Sequence, residues 1–204
     1  MAKPKLMDIK DLLNELLVPF TQIERDMPLR TKGYPNDNDA EHSWALAVLA
    51  CSLAERIDNQ LDIGKVCMLA VAHDIVEIYA GDTSFWAEQE HHDSKGRREE
   101  DALARIEKRF AAFPWIAATI KEYETKDTPE AKFVYALDKF LNALTLLEGK
   151  DYYFKKAKIT KQMLDERIPE HRRKASIHPG VGKYYDELLE VVENHPEYFY
   201  ELGK

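Results

Sequence analysis

The chain has 204 residues, an apolar fraction of 45% and a formal net charge of −8. This length suffices for one domain with a sizeable core, and we expect residues 1–204 to form a single domain. The negative charge argues against broad binding to nucleic acid or anionic membranes, so no nucleic-acid polymer is expected as a partner. A small anionic substrate stays compatible, because a bound cation and a few local Arg or Lys side chains reverse the local field.

Cysteine use and the N-terminal sequence indicate a cytoplasmic protein. Cys51 and Cys67 stand in apolar helical runs without C-x-x-C spacing, which is typical of buried free thiols in a reducing compartment. The first residues, MAKPKLMDIK, contain no apolar signal-peptide segment, and the longest apolar runs, 45–51 and 66–72, are too short to span a bilayer. We therefore predict a soluble cytoplasmic protein that does not contact membranes.

Three helices are predicted in the first part of the chain. Apolar residues at helical spacing support all three. A capping box, Asn38 with Glu41 three residues later, marks the start of the second helix. Gly81 is suited to end the third. The predicted ranges are 7–26, 39–57 and 62–79.

The later part of the chain is also predicted to be helical. A polar segment over 83–96 precedes it, and a connection of this length often forms a lid or a binding loop. The sequence contains no alternating Val/Ile/Thr-rich segment that would predict a strand. We therefore expect an all-α fold of about seven to eight helices. The later helices are predicted over 95–112, 115–124, 129–147, near 154–167 (one or two) and near 182–194.

The stretch 68–82, MLAVAHDIVEIYAGD, places ionisable residues on an otherwise apolar helix. His73 and Asp74 stand in tandem, and Glu77 follows His73 by four residues, so the three are predicted to share one face. Burying such groups is costly unless they are paired or bind a metal. Nitrogen and carboxylate oxygen offered together suit Zn, Mn, Fe, Co or Ni rather than calcium. Taken alone, His73 is more typical of a structural histidine bonded to a neighbouring acid.

Two further ionisable residues point inward from other predicted helices. His42 lies in the first turn of the second helix, and alone it is typical of a core histidine. Asp138 lies within the apolar run FVYALDKFLNALTLL, where an acid needs a cation or a donor such as Asn142. Together with His73 and Asp74 these residues come from three helices, and one divalent metal ion explains all four.

The order H…HD…D resembles the HD superfamily of metal-dependent phosphohydrolases, and most closely its 5′-deoxynucleotidase branch. The resemblance is carried by AEHSW (40–44), AHDIVEIYAGD (72–82) and ALDKF (136–140), in the right order within residues 9–148. It implies an HD-type helical bundle on which the C-terminal helices, within 154–204, pack. It also implies a homodimeric enzyme that uses one divalent transition metal ion to release phosphate from nucleoside 5′-monophosphates, deoxynucleotides in particular.

The resemblance implies a role for each matching residue. Glu77 matches the catalytic acid that orients or deprotonates the attacking water. Arg25 stands where the family has an Arg that reaches the substrate phosphate, with Arg30 as a rival, but Asp26 replaces the Trp that the deoxynucleotidases carry beside that Arg. Asp82 would accept from the 3′-hydroxyl of the sugar. The residues that match the metal ligands are His42, His73, Asp74 and Asp138. The residues implied to bind substrate are Arg25, Asp82, Thr83, Ser84 and Phe85.

Two other functions stay open at the level of sequence. His91 and His92 stand in polar surroundings typical of an exposed loop. The nearby Lys95, Arg97 and Arg98 could approach a substrate phosphate from this loop, but they are more typical of a solvated charge run. Some HD proteins, however, use downstream histidines to bind a second metal, which would indicate a two-metal phosphodiesterase or oxygenase. The third possibility is a helical binding protein with a vestigial metal site.

Overall fold

The computed structural model describes residues 3–25, 36–83, 86 and 89–201, and these ranges contain helices but no β-strand. The all-α prediction is confirmed. Eight long helical segments lie within the described ranges when 6–20 is counted as one segment, in agreement with the predicted seven to eight. None of the helices in these ranges is both long and apolar enough to cross a membrane.

The described residues contain the following helical elements. In chain order they are α1 (Leu6–Leu12), a π-helical turn (Leu13–Leu17), α2 (Val18–Phe20), α3 (Asp39–Ile57), α4 (Ile63–Ala72), α5 (Glu77–Ala80), α6 (Gln89–Arg109), α7 (Trp115–Thr125), α8 (Pro129–Glu148), α9 (Lys150–Lys156), α10 (Lys161–Ala175), α11 (Pro179–Glu193) and a 3₁₀ turn (Pro196–Tyr198).

The first helical segment ends earlier than predicted. It stops at Phe20 rather than near residue 26, after the helix widens into a π-helical turn. Pro19 has no amide hydrogen with which to continue the α-helical ladder, which accounts for the irregular turn ahead of it. The chain then leaves the helix, and Glu24 pairs with Asn38 in an isolated antiparallel bridge.

The start of α3 was predicted correctly and carries a capping box. The Asn38 side chain accepts from the Glu41 amide at 3.0 Å, and the Glu41 carboxylate accepts from the Asn38 amide at 3.2 Å. The bridge beside it consists of two backbone hydrogen bonds, from the Arg25 amide to the Asp37 carbonyl at 3.0 Å and from the Asp39 amide to the Ile23 carbonyl at 3.1 Å. This pairing places Arg25 next to the N-terminus of α3.

The predicted third helix is not continuous. It ends at Ala72, and α5 resumes at Glu77. In between, the hydrogen bonds tighten to three-residue spacing, with the Glu77 amide bonded to the Asp74 carbonyl at 2.9 Å. At three residues per turn, side chains at positions i and i+3 eclipse. Asp74 and Glu77 therefore share a face, as predicted, whereas His73, which was predicted to share that face as well, is out of register with Glu77 at this spacing.

Two other local predictions were tested. Gly81 has a φ of 74° and ends α5 as expected, because glycine adopts this region without steric cost. The connection predicted over 83–96 is shorter, because α6 begins at Gln89. The first turns of α6 are polar, and its buried apolar residues, such as Ala102 and Ile106, appear only further along. Hydrophobic periodicity therefore had no signal for the start of this helix.

Within the described residues, the buried apolar side chains form two clusters. α7 contributes to both, with Tyr123 in the first and Ile120 in the second. α10 and α11 both pack against α8. The first cluster includes Leu46, Ala50, Leu69, Ala70, Phe133, Val134, Leu137 and Leu188. The second includes Leu16, Phe20, Ala72, Ile75, Val76, Ile106 and Ile116. Since Ala70 and Ala72 belong to different clusters, the His73–Asp74 pair stands where the clusters meet.

Candidate metal centre

Side chains from three parts of the bundle converge at this boundary. His42 comes from α3, Asp138 from α8, and His73 with Asp74 from the end of α4. The Nε2 atom of His42 lies 3.1 Å from Asp138 Oδ1 and 4.0 Å from Asp74 Oδ2. The Nε2 atom of His73 lies 3.0 Å from Asp74 Oδ2 and 4.0 Å from Asp138 Oδ1. The four predicted metal ligands are thus brought together.

The orientation of His73 is set by the backbone. Its Nδ1 lies 2.9 Å from the carbonyl oxygen of Ala70, and because a carbonyl can only accept, Nδ1 carries the hydrogen. Nε2 therefore faces the carboxylates, and it is buried without a hydrogen-bond partner in good geometry. A histidine fixed through one nitrogen with the other aimed at carboxylates is the arrangement found at protein metal sites.

The charges around the two histidines favour a cation between them. Burial lowers the pKa of His73, but the neighbouring Asp74 carboxylate outweighs burial and raises this pKa above its usual value, so the surroundings of Nε2 favour positive charge. Burial and the charge of Arg25 lower the pKa of His42 to about 4. His42 is therefore neutral near pH 7, which is the form that binds metals.

Asp138 is held by three hydrogen-bond donors in addition to its contact with His42. The Tyr123 hydroxyl donates to its Oδ2 at 3.2 Å, the Lys139 Nζ to Oδ2 at 2.5 Å, and the Asn142 amide to Oδ1 at 3.2 Å. Burial alone would raise its pKa, but Lys139 and His42 hold the pKa well below the usual range. Asp138 is thus an ionised ligand. The Asn142 contact was considered from sequence, whereas Tyr123 and Lys139 were missed.

Arg25 joins the loop before α3 to the site. Its Nη1 donates to Asp74 Oδ2 at 3.0 Å and to Asp39 Oδ1 at 3.2 Å, and its Nη2 donates to Asn142 Oδ1 at 3.2 Å. Asp39 is completely buried and was not singled out from sequence. Its position three residues before His42, on the same helical face, was the available signal. Burial and the charge of Asp74 raise the pKa of Asp39 to about 7, against the effect of Arg25.

Glu77 lies in an acidic group rather than beside His73. Its carboxylate oxygens approach those of Asp39 and Asp74 within 4.8 Å. Burial, reinforced by the charges of Asp74 and Asp39, raises the pKa of Glu77 well above its usual range. Lys95 Nζ lies 3.9 Å from Glu77 Oε1 and 3.0 Å from Glu99 Oε1. Lys95 therefore lies beside the acidic group, while its side chain stays 37% exposed.

The segment after α5 is held beside the site by Arg98. The guanidinium donates to the Ala80 carbonyl and, through Nη2, to Thr83 Oγ1 at 2.8 Å. Asp82 and Thr83 both line the cavity in front of the site. Arg98 thus anchors this segment to α6 rather than belonging to a solvated charge run.

Some predicted positions are not covered by these observations. Ser84, Phe85 and Arg30 lie outside the described residues. His91 and His92 belong to α6 rather than to a loop, and their side chains lie outside the described part of the chain. The two-metal alternative that rests on them stays a prediction.

A cavity of about 270 Å³ opens in front of the site. Its lining near the metal ligands is charged and includes Arg25, Asp74, Asp82, Lys95 and Lys139. At the other end it is lined by apolar residues of α8, α10 and α11. The cations offset the acidic site, which gives an anionic ligand a favourable position despite the net negative charge of the chain.

The residues present fit a divalent transition metal. His42, His73 and Asp138 each offer one ligand atom, and the three atoms lie within 4.8 Å of one another. Asp74 Oδ2 adds a second carboxylate at the distances given above. Two imidazoles and two carboxylates form a mixed nitrogen and oxygen set, which suits Zn, Mn, Fe, Co or Ni rather than Ca or Mg.

Comparison with known families and structures agrees with this arrangement. The family described as "HD domain" matches residues 21–177. A crystal structure of a predicted metal-dependent phosphohydrolase from Magnetospirillum magnetotacticum superposes with a TM-score of 0.77 at 29% identity, and covers 96% of each chain. A conserved hypothetical protein from Pyrococcus furiosus, with a TM-score of 0.62 at 20% identity, covers 89% of this chain and 99% of its own and shows the same fold.

Two curated relatives are named 5′-deoxynucleotidase HDDC2. The human protein is 30% identical over 122 residues, which is 59% of this chain and 58% of the relative. The mouse protein is 32% identical over 114 residues, or 55% of each chain. The chain thus spans somewhat more than half the length of the curated relatives that it matches.

Proposed function

We propose that this chain, which belongs to the HD domain family, is a metal-dependent phosphohydrolase that acts on nucleoside 5′-monophosphates. The observation that carries the proposal is the meeting of His42, His73, Asp74 and Asp138, with the buried Nε2 of His73 aimed at two carboxylates. The names of the curated relatives and of the Magnetospirillum structure support the reaction class.

The four converging residues would hold one divalent metal. When bound, such a metal supplies Lewis acidity that lowers the pKa of a water and polarises a phosphoryl oxygen. The surrounding residues keep the ligands in the required form, because His42 is neutral near pH 7 and Lys139 keeps Asp138 ionised. The Ala70 carbonyl fixes the His73 ring.

Glu77 is the proposed general base. In its ionised form it takes a proton from the attacking water, whose oxygen forms a bond to phosphorus as the ester P–O bond breaks. The departing alcohol takes up the proton that Glu77 removed. The pKa of Glu77 is raised in the metal-free protein because Glu77 is buried next to the negative charges of Asp74 and Asp39. Arg25 and Lys95 offset negative charge on the phosphate.

The substrate assignment rests on the relatives and on the cavity. A monoester with a sugar on the leaving oxygen would extend from the metal ligands towards Asp82 and Thr83, both of which line the cavity. A carboxylate and a hydroxyl are suitable partners for sugar hydroxyls. We propose deoxynucleotides among the substrates because the curated relatives carry that name.

The proposal is tested by metal analysis together with phosphate release. Purified protein should retain about one divalent transition metal ion per chain and release phosphate from a panel of ribo- and deoxyribonucleoside 5′-monophosphates. Glu77→Gln should lower kcat by about 10²- to 10⁴-fold, as loss of a general base does, and should keep its metal by elemental analysis.

Glu130→Gln is the matched control, because Glu130 is a buried glutamate that contacts Asp62 and Lys65 rather than the metal site. It should retain activity within about twofold. Full activity of Glu77→Gln would contradict the role assigned to Glu77. A metal-free protein that is inactive across the panel, even after metals are added back, would contradict the proposed function itself.

The proposed enzyme is a homodimer. An apolar groove runs between the first helical segment, α3 and α4 and is lined by residues including Leu17, Trp44, Val48 and Val71. Trp44 is 69% exposed, although it is the largest apolar side chain of this surface. A contiguous apolar surface of this kind marks an interaction site. We propose a second copy of the chain as its occupant, as the family resemblance implies.

A further inference from the structure

The cavity in front of the metal centre has two chemically different ends. The end at the metal centre carries the charged side chains that suit a phosphate group. The other end lies between α8, α10 and α11 and is lined by Leu146, Leu164, Ile168, Leu188, Leu189 and Val192. A phosphate and a sugar are both strongly hydrated groups, so neither accounts for the apolar end.

An apolar cavity that is continuous with a polar site favours an apolar ligand group. Its lining side chains lose dispersion contacts while the cavity is empty of solute, and water gains few partners there. Burying apolar or aromatic surface of a ligand against Leu164, Ile168 and Leu188 recovers this free energy at about 25 cal/mol per Å². The apolar part of this end therefore suits a ring system, and Lys174 of α10 adds a charged side chain to the lining of the cavity.

A buried polar pair interrupts the apolar lining. The Nδ1 atom of His171 lies 2.8 Å from the hydroxyl of Tyr185, and both residues line the cavity. Burial, together with the charge of Lys139, lowers the pKa of His171 to about 3. His171 is thus neutral near pH 7. A few polar groups on an otherwise apolar wall are what fixes the orientation of a ligand.

The two ends are close enough for one small molecule to reach both. Lys139 donates to Asp138 at the metal centre, and its charge also acts on His171 at the apolar end. Asp74 of the metal centre, Lys139 and His171 line the same cavity. A ligand that places a phosphate at the metal ligands therefore directs its other end towards α8, α10 and α11.

We propose that the α8–α10–α11 end of the cavity is a subsite for the nucleobase of the substrate, with Tyr185 and His171 as its polar contacts. This inference rests on the proposed function, because it takes the substrate to be a nucleotide. It makes the enzyme selective for phosphate monoesters whose alcohol carries a ring. Sugar phosphates without a base are poor substrates on this basis.

The test fills the subsite with a larger side chain. Wild-type protein should hydrolyse dAMP with a kcat/KM at least about tenfold above that for deoxyribose 5-phosphate, which lacks the base, a difference of about 1.4 kcal/mol. Ile168→Trp should lower kcat/KM for dAMP by about tenfold or more, mainly through KM, and should change that for deoxyribose 5-phosphate by less than about twofold.

Met163→Trp is the matched control, because it adds the same side chain to an exposed position of α10. It should leave kcat/KM unchanged for both substrates. The subsite would be overturned by equal kcat/KM values for dAMP and deoxyribose 5-phosphate in the wild type. An equal loss of kcat/KM for both substrates in Ile168→Trp would overturn it as well. If Ile168→Trp does not fold, Leu189→Ala takes its place, since it enlarges the same end and should raise KM for dAMP alone.

Failure of the proposed function gives a different result. A wild-type protein that releases no phosphate from any mononucleotide contradicts the function, and the subsite is then decided by calorimetry with deoxyadenosine. Binding to the wild type that is lost in Ile168→Trp supports the subsite. Absence of deoxyadenosine binding to the wild type overturns it.

Discussion

At the scale of single residues, Arg25 contacts three carboxylates that would otherwise repel one another. It donates to Asp39 and Asp74, its Nε lies 3.9 Å from Asp37 Oδ2, and it is itself buried. Removing one member of a buried charge group leaves the others uncompensated, which costs about 3–5 kcal/mol. Arg25 therefore supports the local fold in addition to any contact with substrate.

We expect Arg25→Met to lower the free energy of unfolding of the metal-free protein by about 3–5 kcal/mol at pH 8. The loss should be smaller at pH 6, because the pKa of Asp39 is already about 7 and protonation removes its unpaired charge. Urea denaturation at both pH values measures the difference.

A double variant checks the cause of that loss. Arg25→Met combined with Asp39→Asn should be more stable than Arg25→Met alone at pH 8, since the buried carboxylate is then absent. If the second substitution instead adds its own destabilisation, the charge of Asp39 is not what Arg25 compensates.

Residue types and helical spacing predicted which ionisable groups point inward, but not all of their partners. His42 and Asp138 were recognisable because each interrupts an apolar face. Tyr123 and Lys139 were not, because an aromatic residue or a lysine on a helix is ordinary without knowledge of the opposite helix. The burial of Asp39 was not predicted, because Asp39 stands in a capping sequence, where exposed acidic residues are common.

At the scale of secondary structure, the N-terminus of α3 connects local helix stability to the metal centre. The capping box at Asn38 fixes the first turn, and that turn carries both Asp39 and His42. The positive end of the helix also faces the acidic group, where it favours negative charge. Loss of the cap is therefore expected to affect more than helix stability.

We expect Asn38→Ala to destabilise the protein by about 1 kcal/mol, as loss of an N-cap does, and to weaken metal retention because His42 lies in the uncapped turn. Competition with a chelator measures the metal affinity. Thr160→Ala is the control, because Thr160 caps α10 in the same way, through the amide of Met163 at 3.2 Å.

The control should lose similar stability and keep its metal affinity. An equal loss of affinity in both variants would mean that global stability, rather than the first turn of α3, governs metal binding.

The break between α4 and α5 marks the limit of prediction from periodicity. The backbone stays helical across the break, with φ of −58° at His73 and −57° at Val76. The residue types between these positions contain no glycine or proline that would predict a change of hydrogen-bond spacing. The change nevertheless moves Glu77 beside Asp39 and Asp74. Tertiary packing, and not local propensity, selects between the two helical spacings.

At the scale of the whole molecule, the exposed apolar groove predicts self-association. Val48 is 50% exposed and Leu17 is 48% exposed, and both border the same groove as Trp44. Water contact with this surface is unfavourable at about 25 cal/mol per Å². A symmetric pairing of two copies would cover the groove of each.

We expect the wild type to have twice the monomer mass by light scattering coupled to gel filtration. Trp44→Glu should shift the mass to that of a monomer, because it introduces a charge into the apolar contact. Lys183→Glu, a charge change at an exposed position of α11, should leave the mass unchanged. A wild-type monomer at all concentrations tested would contradict the proposed dimer.

The meeting of the two apolar clusters at the His73–Asp74 pair has a consequence for cooperativity. In the metal-free protein, mutually repelling carboxylates occupy the boundary between α3 and α8 on one side and α2 and α5 on the other. A cation bound there would join the two clusters into one folding unit and add its binding free energy to that unit. The same ion that serves the reaction would then also make unfolding a single transition.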